Sequence, residues 1–197
     1  MDLISRISQH FTDSAQTKLD AIELLAAPIA GAVELMVGAL VGNGKILACG
    51  NGGSAADAQH FAAELVGRFE MERQGLAAIA LTTDSSIMTA VANDYGYATV
   101  FERQVRALGQ PGDVLLAIST SGNSPSVVEA VRSAQDNDLR VVALTGKGGG
   151  EIGRMLRDSD VHLCAPSDRT ARIQEIHLLT VHCLCDGIDC LLLGVEE

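Results

Sequence analysis

Five short runs of almost uninterrupted apolar residues recur along the chain, and they restrict its fold more than any other feature of the sequence. Such continuous hydrophobicity is typical of strands that are buried on both faces of a parallel sheet. Helical patterns lie between the runs. Strands that alternate with helices predict an α/β fold, a three-layer arrangement with a parallel β-sheet and helices on both faces. The runs are KILACG (45–50), LAAIALT (76–82), DVLLAIS (113–119), RVVALTG (140–146) and VHLCA (161–165).

Helical patterns account for most of the remaining chain. Two N-terminal helices are predicted before the first strand, the first with an apolar stripe and the second over about 28–40. We expect residues 1–43 to contribute to oligomerisation and residues 44–197 to form the α/β core of a single domain, 1–197. The stripe consists of Ile4, Ile7, Phe11, Leu19 and Ile22, and the later helices are predicted at about 54–68, 85–108, 125–137, 150–157 and 170–193.

Composition and charge exclude several classes of protein. With 25 acidic and 14 basic residues, the net charge of −11 argues against sequence-independent binding of nucleic acid, which needs lysine and arginine. The five cysteines form no C-x-x-C pair and lie mostly in apolar runs, as reduced thiols of the cytosol do. The N-terminus lacks the basic and apolar segments of a secretory signal, and Glu34 interrupts the later apolar run. We therefore expect a cytoplasmic protein without a membrane span.

Three of the loops that leave the strands are rich in glycine or serine. They are GNGGS (50–54), STSGNS (119–124) and TGKGGG (145–150). Ligands of parallel α/β sheets bind at the carboxyl ends of the strands, where these loops lie. Small residues, free backbone N–H groups and a helix N-terminus together favour phosphate. The loops therefore predict a phosphate or sugar-phosphate site.

The loop after the third strand has the clearest helix start. Ser124 is expected to cap the helix and Pro125 to occupy its first position. The hydroxyls of Ser119, Thr120, Ser121 and Ser124 add donors for a phosphate without bulk. An ordinary capped connection between strand and helix is the structural alternative.

The first loop also fits a dinucleotide-binding fingerprint. GNGGSA matches the loose form G-x-G-x-x-A, and Asp84 could contact a ribose. However, Asp84 lies beyond the expected spacing of about 20 residues. The fingerprint also leaves the hydroxyl-rich loop after the third strand unexplained, so the sugar-phosphate interpretation is favoured over NAD binding.

The helix after the first strand carries His60 and Glu64 in an alanine-rich run. Ser54 and Asp57 resemble a capping box, which would set the start of this helix. His60 and Glu64, four residues apart, then share one face, as a chelating pair or an acid/base pair requires. A surface pair without function has the same spacing, but the surrounding alanines indicate close packing, where an unpaired glutamate is costly.

The last helix carries a second polar set. Gln174 and His182 lie about 80° apart around a helix of 3.6 residues per turn and could reach one centre. Gln174 and His177 could do so too, and the spacing does not choose between them. For either histidine alone, a hydrogen-bonded role in the core is the alternative. Two helices that each offer a histidine and a glutamate or glutamine indicate a borderline metal such as zinc.

Several motifs together resemble the SIS (sugar isomerase) domain, and most closely its phosphoheptose isomerase family. They are CGNGGSAADAQHFAAEL (49–65), Asn93-Asp94, ISTSGNS (118–124), ALTGKGGG (143–150) and ARIQEIHLLTVH (171–182), and the resemblance covers nearly the full length. It implies a flavodoxin-like SIS fold and a homotetramer with active sites at subunit interfaces. It also implies an enzyme that interconverts sedoheptulose 7-phosphate and D-glycero-D-manno-heptose 7-phosphate, the first step of ADP-heptose and lipopolysaccharide core biosynthesis.

The resemblance also implies a role for individual residues. It favours His182 over His177 and implies zinc held by His60, Glu64, Gln174 and His182. Glu64 would be the base and His182 the acid of an enediol proton transfer, with Glu64 and Gln174 also contacting substrate. The other implied substrate contacts are Asn51, Gly52, Gly53, Ser54, Asn93, Asp94, Ser119, Thr120, Ser121 and Ser124.

Two features depart from the pattern of the family. Ala171 stands where some members have aspartate, so one polar substrate contact of those members is either missing or supplied by another residue. The segment CLCDGID (183–189) resembles a related branch that binds the replication initiator DnaA and has no known isomerase activity. That branch lacks the acid/base pair, whereas Glu64 and His182 are both present here. The enzyme is therefore the favoured interpretation, and a non-catalytic DnaA-binding protein is the alternative.

Overall fold

The sheet of this protein has five strands, all parallel, in the order β2-β1-β3-β4-β5. The computed structural model describes residues 2–194, so the ends of the predicted domain 1–197 lie outside the described residues. Helices cover both faces of the sheet, and the predicted three-layer α/β fold is confirmed. The strands are β1 (Ile46–Gly50), β2 (Ala78–Ala80), β3 (Val114–Ser119), β4 (Arg140–Thr145) and β5 (Val161–Cys164).

Residues 2–194 contain seven α-helices: α1 precedes the first strand, α7 follows the last, and the others lie between strands. The predicted later helices agree with them except in one region. The helix expected over 85–108 is divided, because Gly96 takes a positive φ of 89° that ends α3, and one 3₁₀ turn, Tyr97–Thr99, follows. The helices are α1 (Leu3–Val41), α2 (Gly53–Val66), α3 (Ser85–Tyr95), α4 (Glu102–Leu108), α5 (Pro125–Asp136), α6 (Gly150–Met155) and α7 (Thr170–Leu193).

The two faces of the sheet carry two separate hydrophobic cores. Helices α1, α2 and α7 pack on one face, with strand residues such as Leu116 between them. Residues of α4, α5 and α6 pack on the other face, against neighbours such as Leu115. Successive side chains of a strand point to opposite faces, so both faces of β3 are buried and its sequence is continuously apolar.

The order of the strands places a crevice between β1 and β3. The chain leaves β1 for β2 on one side and later returns to form β3 on the other. The helices that follow β1 and β3 therefore lie on opposite faces, and the loops that begin them diverge. In open α/β sheets this reversal point is where ligands bind.

The N-terminal region differs from its prediction, because it forms one helix of 39 residues rather than two. Pro28 lies inside α1 and cannot donate a hydrogen bond to the carbonyl of Leu24. Leu24 is 57% exposed, so water can satisfy its carbonyl group and the helix continues. The predicted division into two helices therefore does not occur.

By length and composition alone, two helices, α1 and α7, could cross a membrane. α7 is a helix of the protein core, since it packs on α1, α2 and the sheet and buries polar groups such as His177 and Asp189. α1 instead exposes several large apolar side chains along its length, among them Ile4 and Phe11.

Candidate active site between helices α2 and α7 and the strand-exit loops

The first strand-exit loop turns directly from β1 into α2 through glycine. Gly52 has a φ of 57° and is the N-cap residue, without a side-chain capping bond. The predicted capping box of Ser54 and Asp57 is therefore wrong, because a left-handed glycine starts the helix earlier. Ser54 lies inside α2 and is 3% exposed, while Gly52 and Gly53 are exposed at the mouth of the loop.

Asn51 connects this loop to the other side of the crevice. Its Nδ2 atom donates to Ser126 Oγ on α5 at 2.9 Å. The Tyr97 hydroxyl donates to Asn51 Oδ1 at 2.8 Å. Both partners are separated from Asn51 by more than 40 residues, and no sequence motif marks either of them as part of the site.

The second loop gathers the predicted phosphate-binding hydroxyls at the start of α5. Ser124 is the N-cap residue, as predicted, but its side chain makes no capping bond. Ser124 Oγ instead accepts a hydrogen bond from Ser119 Oγ at 3.1 Å. Thr120 and Ser121 lie half-buried between them. The hydroxyls thus surround the N-terminus of a helix of 12 residues, where backbone N–H groups favour an anion.

The glycine-rich loop after β4 supports this arrangement from behind. A side chain at Gly122 would collide with the carbonyl oxygen of Gly149, so the two loops touch through their backbones. Asn123 Oδ1 accepts from the Glu151 N–H at 2.9 Å, and its Nδ2 donates to the Ser121 carbonyl at 2.9 Å. The third glycine-rich segment therefore braces the hydroxyl-rich loop.

His60, Glu64 and His182 come together between α2 and α7. His60 Nε2 and Glu64 Oε1 are 2.9 Å apart, and the two side chains are 36% and 23% exposed. The ring of His182 lies edge-on to that of His60, with centroids 5.1 Å apart, and the ring of Phe69 is tilted against that of His182 with centroids 5.7 Å apart. Two helices thus bring a carboxylate and two imidazoles to one partly exposed place.

His177 has a different environment from His182. It is 1% exposed, and its Nε2 atom lies 2.9 Å from the Thr145 carbonyl oxygen. Burial lowers the pKa of His177 to about 4, although the bond to Thr145 raises it in part. Of the two histidines that spacing allowed, the structure brings His182 to His60 and puts His177 in the core.

Gln174 lies against the first turn of α2. A Cβ atom at Gly53 would collide with its side-chain amide, so only glycine allows this approach. Gln174 therefore contacts the glycine loop on one side, while Asn51 links the same loop to α5 on the other. The β1 loop joins the histidine-bearing layer to the hydroxyl-rich loop.

Asn93 and Asp94 lie at the end of α3, on the opposite layer. Both are exposed, and Asn93 Nδ2 donates to Asp94 Oδ1 at 2.7 Å. The described contacts of this chain do not connect them to His60 or His182. Asp84, the ribose candidate of the dinucleotide interpretation, caps α3 by accepting from the Ile87 N–H at 2.9 Å. Its carboxylate therefore already has a structural role.

The side chains where α2 meets α7 carry donor atoms of the types that bind a metal ion, but the structure does not place them as a complete set of ligands. Within residues 2–194, no group of three or more His, Cys, Asp and Glu side chains is placed to hold a metal. The 2.9 Å between His60 Nε2 and Glu64 Oε1 is close to the roughly 3.3 Å that separates two ligands of a tetrahedral zinc. Asp57 Oδ2, one turn before His60, is buried without a hydrogen-bond partner. Burial raises the pKa of Asp57, and His60 lowers it in part. A cation nearby would stabilise the ionised carboxylate, which burial disfavours.

Comparisons with known proteins agree over nearly the whole chain. The family described as "SIS domain" matches residues 10–146. A phosphoheptose isomerase of Azoarcus sp. (strain BH72) is 74% identical over 197 residues, which cover 100% of both chains. The structure of phosphoheptose isomerase GmhA from Neisseria gonorrhoeae has a TM-score of 0.92 and 56% identity, over 95% of this chain and 99% of that chain. A phosphoheptose isomerase from Francisella tularensis has a TM-score of 0.93 and 47% identity, over 96% and 99% of the two chains.

Proposed function

The chain belongs to the SIS-domain family and, within it, to the phosphoheptose isomerases, and we propose how its residues catalyse the isomerisation of a heptose phosphate. The protein is an aldose–ketose isomerase that interconverts sedoheptulose 7-phosphate and D-glycero-D-manno-heptose 7-phosphate. The meeting of His60, Glu64 and His182 between two helices carries the proposal, since it supplies a base and an acid at one place. The reaction would take place in the cytoplasm, as the first step toward ADP-heptose and the lipopolysaccharide core.

The hydroxyl-rich loop would hold the phosphate of the sugar. Ser119, Thr120, Ser121 and Ser124 surround the N-terminus of α5, and the Ser124 hydroxyl is not used as a helix cap. Hydroxyl and backbone N–H donors at a helix N-terminus favour a doubly charged anion. Asn51, Gly52 and Gly53 would contact the sugar between this loop and α2.

Glu64 and His182 would move the protons. Isomerisation removes a proton from the carbon beside the carbonyl group and returns it to the neighbouring carbon through an enediol. Glu64 would accept the proton from carbon, while His182 would donate one to the carbonyl oxygen. The same groups acting in reverse on the neighbouring atoms would complete the reaction. His60 contacts both side chains and would keep them in register.

We also propose that His60, Glu64, Gln174 and His182 hold a zinc ion. Their nitrogen and oxygen atoms are donors that zinc accepts, and the His60–Glu64 spacing suits two ligands of one ion. Zinc would polarise the substrate oxygens and stabilise the negative charge that develops on them.

The assembly would be a homotetramer with active sites at its subunit interfaces. α1 is about 58 Å long, and it exposes Leu3, Ile4 and Phe11 by 71%, 78% and 76%. An apolar groove lined by Ala21, Leu25, Ile176 and Leu179, among others, continues this face between α1 and α7. Monomers rarely expose so continuous an apolar surface. A second copy would cover it, because a two-fold pairing buries the same surface on both chains.

The experiment that tests this function is a direct assay of the purified full chain with sedoheptulose 7-phosphate, with and without added zinc. We expect the aldose phosphate to form, and we expect unphosphorylated sedoheptulose, the matched control, to react poorly because it lacks the group that the β3 loop binds. DnaA is offered as a second ligand in the same experiment. Retention of DnaA without sugar conversion would support the non-catalytic alternative, and NAD binding without either would support the dinucleotide interpretation.

A further inference from the structure

A buried ion pair joins the loop after α2 to the last helix. Arg73 Nε lies 2.6 Å from Asp189 Oδ1, and both side chains are only 3% exposed. Arg73 belongs to the segment between α2 and β2, whereas Asp189 lies on α7, seven residues after His182. Seven residues are about two helical turns, so Asp189 lies on the same helix as the candidate acid and further along its axis.

The same guanidinium also holds the end of α2. Its Nη2 atom donates to the carbonyl of Glu64 at 3.0 Å, and its Nη1 atom donates to the carbonyl of Leu65 at 2.8 Å. The last carbonyls of a helix have no partner within the helix, and a positive charge at that end is favourable. Arg73 thus binds the main chain of Glu64 itself and, through Asp189, connects it to α7.

We propose that Arg73 and Asp189 are a positioning pair, which fixes the carboxylate of Glu64 relative to the ring of His182. This inference rests on the proposed function, because it assigns the pair a part in that reaction. Neither side chain contacts the reacting groups directly. They act by setting how the end of α2 lies along α7, and thereby how the proton acceptor and the proton donor face one substrate.

Stability alone does not account for this pair. Buried ion pairs are often no more stabilising than apolar residues of similar volume, since both charges lose their hydration. Asp189 Oδ2 is in addition buried without a hydrogen-bond partner. Lys45 and Asp113 form a second, partly buried pair, with 2.6 Å between Nζ and Oδ2 and side chains 21% and 2% exposed, at the amino ends of β1 and β3. Ligands bind at the opposite edge of such a sheet, so this second pair is a natural control.

The test compares full-length variants by their kcat, their KM for sedoheptulose 7-phosphate and their thermal midpoint. The double variant Arg73→Met/Asp189→Leu removes both charges together and keeps the site apolar and filled. We expect it to fold, with kcat reduced about 10- to 100-fold, because small misplacement of a reacting group has effects of that size. KM should change little, since the phosphate loop lies on β3 and α5. Arg73→Lys keeps the positive charge but cannot donate several hydrogen bonds at once as the guanidinium does. Its kcat should lie between those of the unsubstituted protein and the double variant.

Lys45→Met is the control and should lower the thermal midpoint without lowering kcat. Asp189→Asn keeps the volume and an acceptor but removes the charge that holds the Arg73 guanidinium, so its kcat should be reduced as well, and it is the second variant to compare if the double variant is insoluble. Folded variants with unchanged kcat, or with an effect on KM alone, would overturn the positioning role. An unsubstituted protein that leaves the sugar unchanged would instead refute the proposed function, and this role with it.

Discussion

Replacing Ser124 with alanine should weaken substrate binding and leave the fold almost intact. Ser124 is the N-cap residue of α5, but its hydroxyl makes no capping bond. The only described partner of that hydroxyl is Ser119 Oγ, at 3.1 Å. The substitution therefore removes one hydrogen bond between neutral groups from the folded chain, which costs about 1 kcal/mol.

The effect on the bound sugar phosphate should be larger. A hydrogen bond to a charged group contributes about 1.5–3 kcal/mol, so its loss should raise the apparent dissociation constant roughly 10- to 100-fold. Ser121→Ala together with Ser124→Ala should weaken binding further. The assay is titration calorimetry with sedoheptulose 7-phosphate, and the midpoint of thermal unfolding is measured on the same samples.

Ser133→Ala is a matched control on the same helix. Ser133 is 1% exposed and its hydroxyl lies 3.4 Å from the Glu102 carbonyl oxygen, away from the loop. It should alter stability by a similar amount and leave affinity unchanged. Unchanged affinity in the Ser124 variants, or equal losses in the control, would remove the β3 loop from the binding site.

Three further predictions concern assembly, metal and pH. Deleting residues 1–25 should dissociate or precipitate the protein. The double variant Ile4→Glu/Phe11→Glu, at positions 78% and 76% exposed in the single chain, should dissociate the assembly without unfolding it. An unchanged mass in light scattering would contradict this. His60→Ala should reduce the zinc that remains after dialysis, measured by elemental analysis, and equal zinc contents would show that His60 is not a ligand. Because burial lowers the pKa of His177 to about 4, its contribution to stability is complete above the unfolded pKa of about 6.5 and is lost as pH falls toward 4. Urea unfolding should show a loss of up to about 3 kcal/mol over that window, and His177→Gln should flatten it; equal pH slopes in both proteins would mean that other groups cause the loss.

The sequence predicted the layers of this fold because burial on both faces makes each strand continuously apolar. The pattern of strands and helices alone does not predict the strand order, since that depends on which face each connecting helix covers; the flavodoxin-like order that the structure shows was implied only by the family resemblance. The two apolar patterns in the N-terminal region predicted two helices, whereas the structure shows one helix that continues through Pro28, next to an exposed Leu24. Local patterns record burial, but they do not record which exposed backbone groups water can satisfy.

The candidate site was predictable where its residues share a helix face. His60 and Glu64 contact each other as their spacing indicates. His177 and His182 could not be separated in this way, because either could share a centre with Gln174, and only the packing of α7 on the sheet buries His177. The contacts between Asn51 and Ser126 and between Arg73 and Asp189 span 75 and 116 residues, and no local spacing reports them.

Solvent deuterium uptake into unreacted sedoheptulose 7-phosphate tests the central claim most directly, because it reports proton removal by Glu64 separately from completion of the isomerisation. Glu64→Gln keeps the shape of the side chain but cannot accept the proton. Glu102→Gln, in the opposite layer and with a side chain 14% exposed, is the matched control and should exchange normally. The account predicts that the Glu64 variant stays folded while its exchange falls about a hundredfold or more. Exchange at the unsubstituted rate would contradict it and would leave the His60–Glu64 pair a structural or purely metal-binding feature.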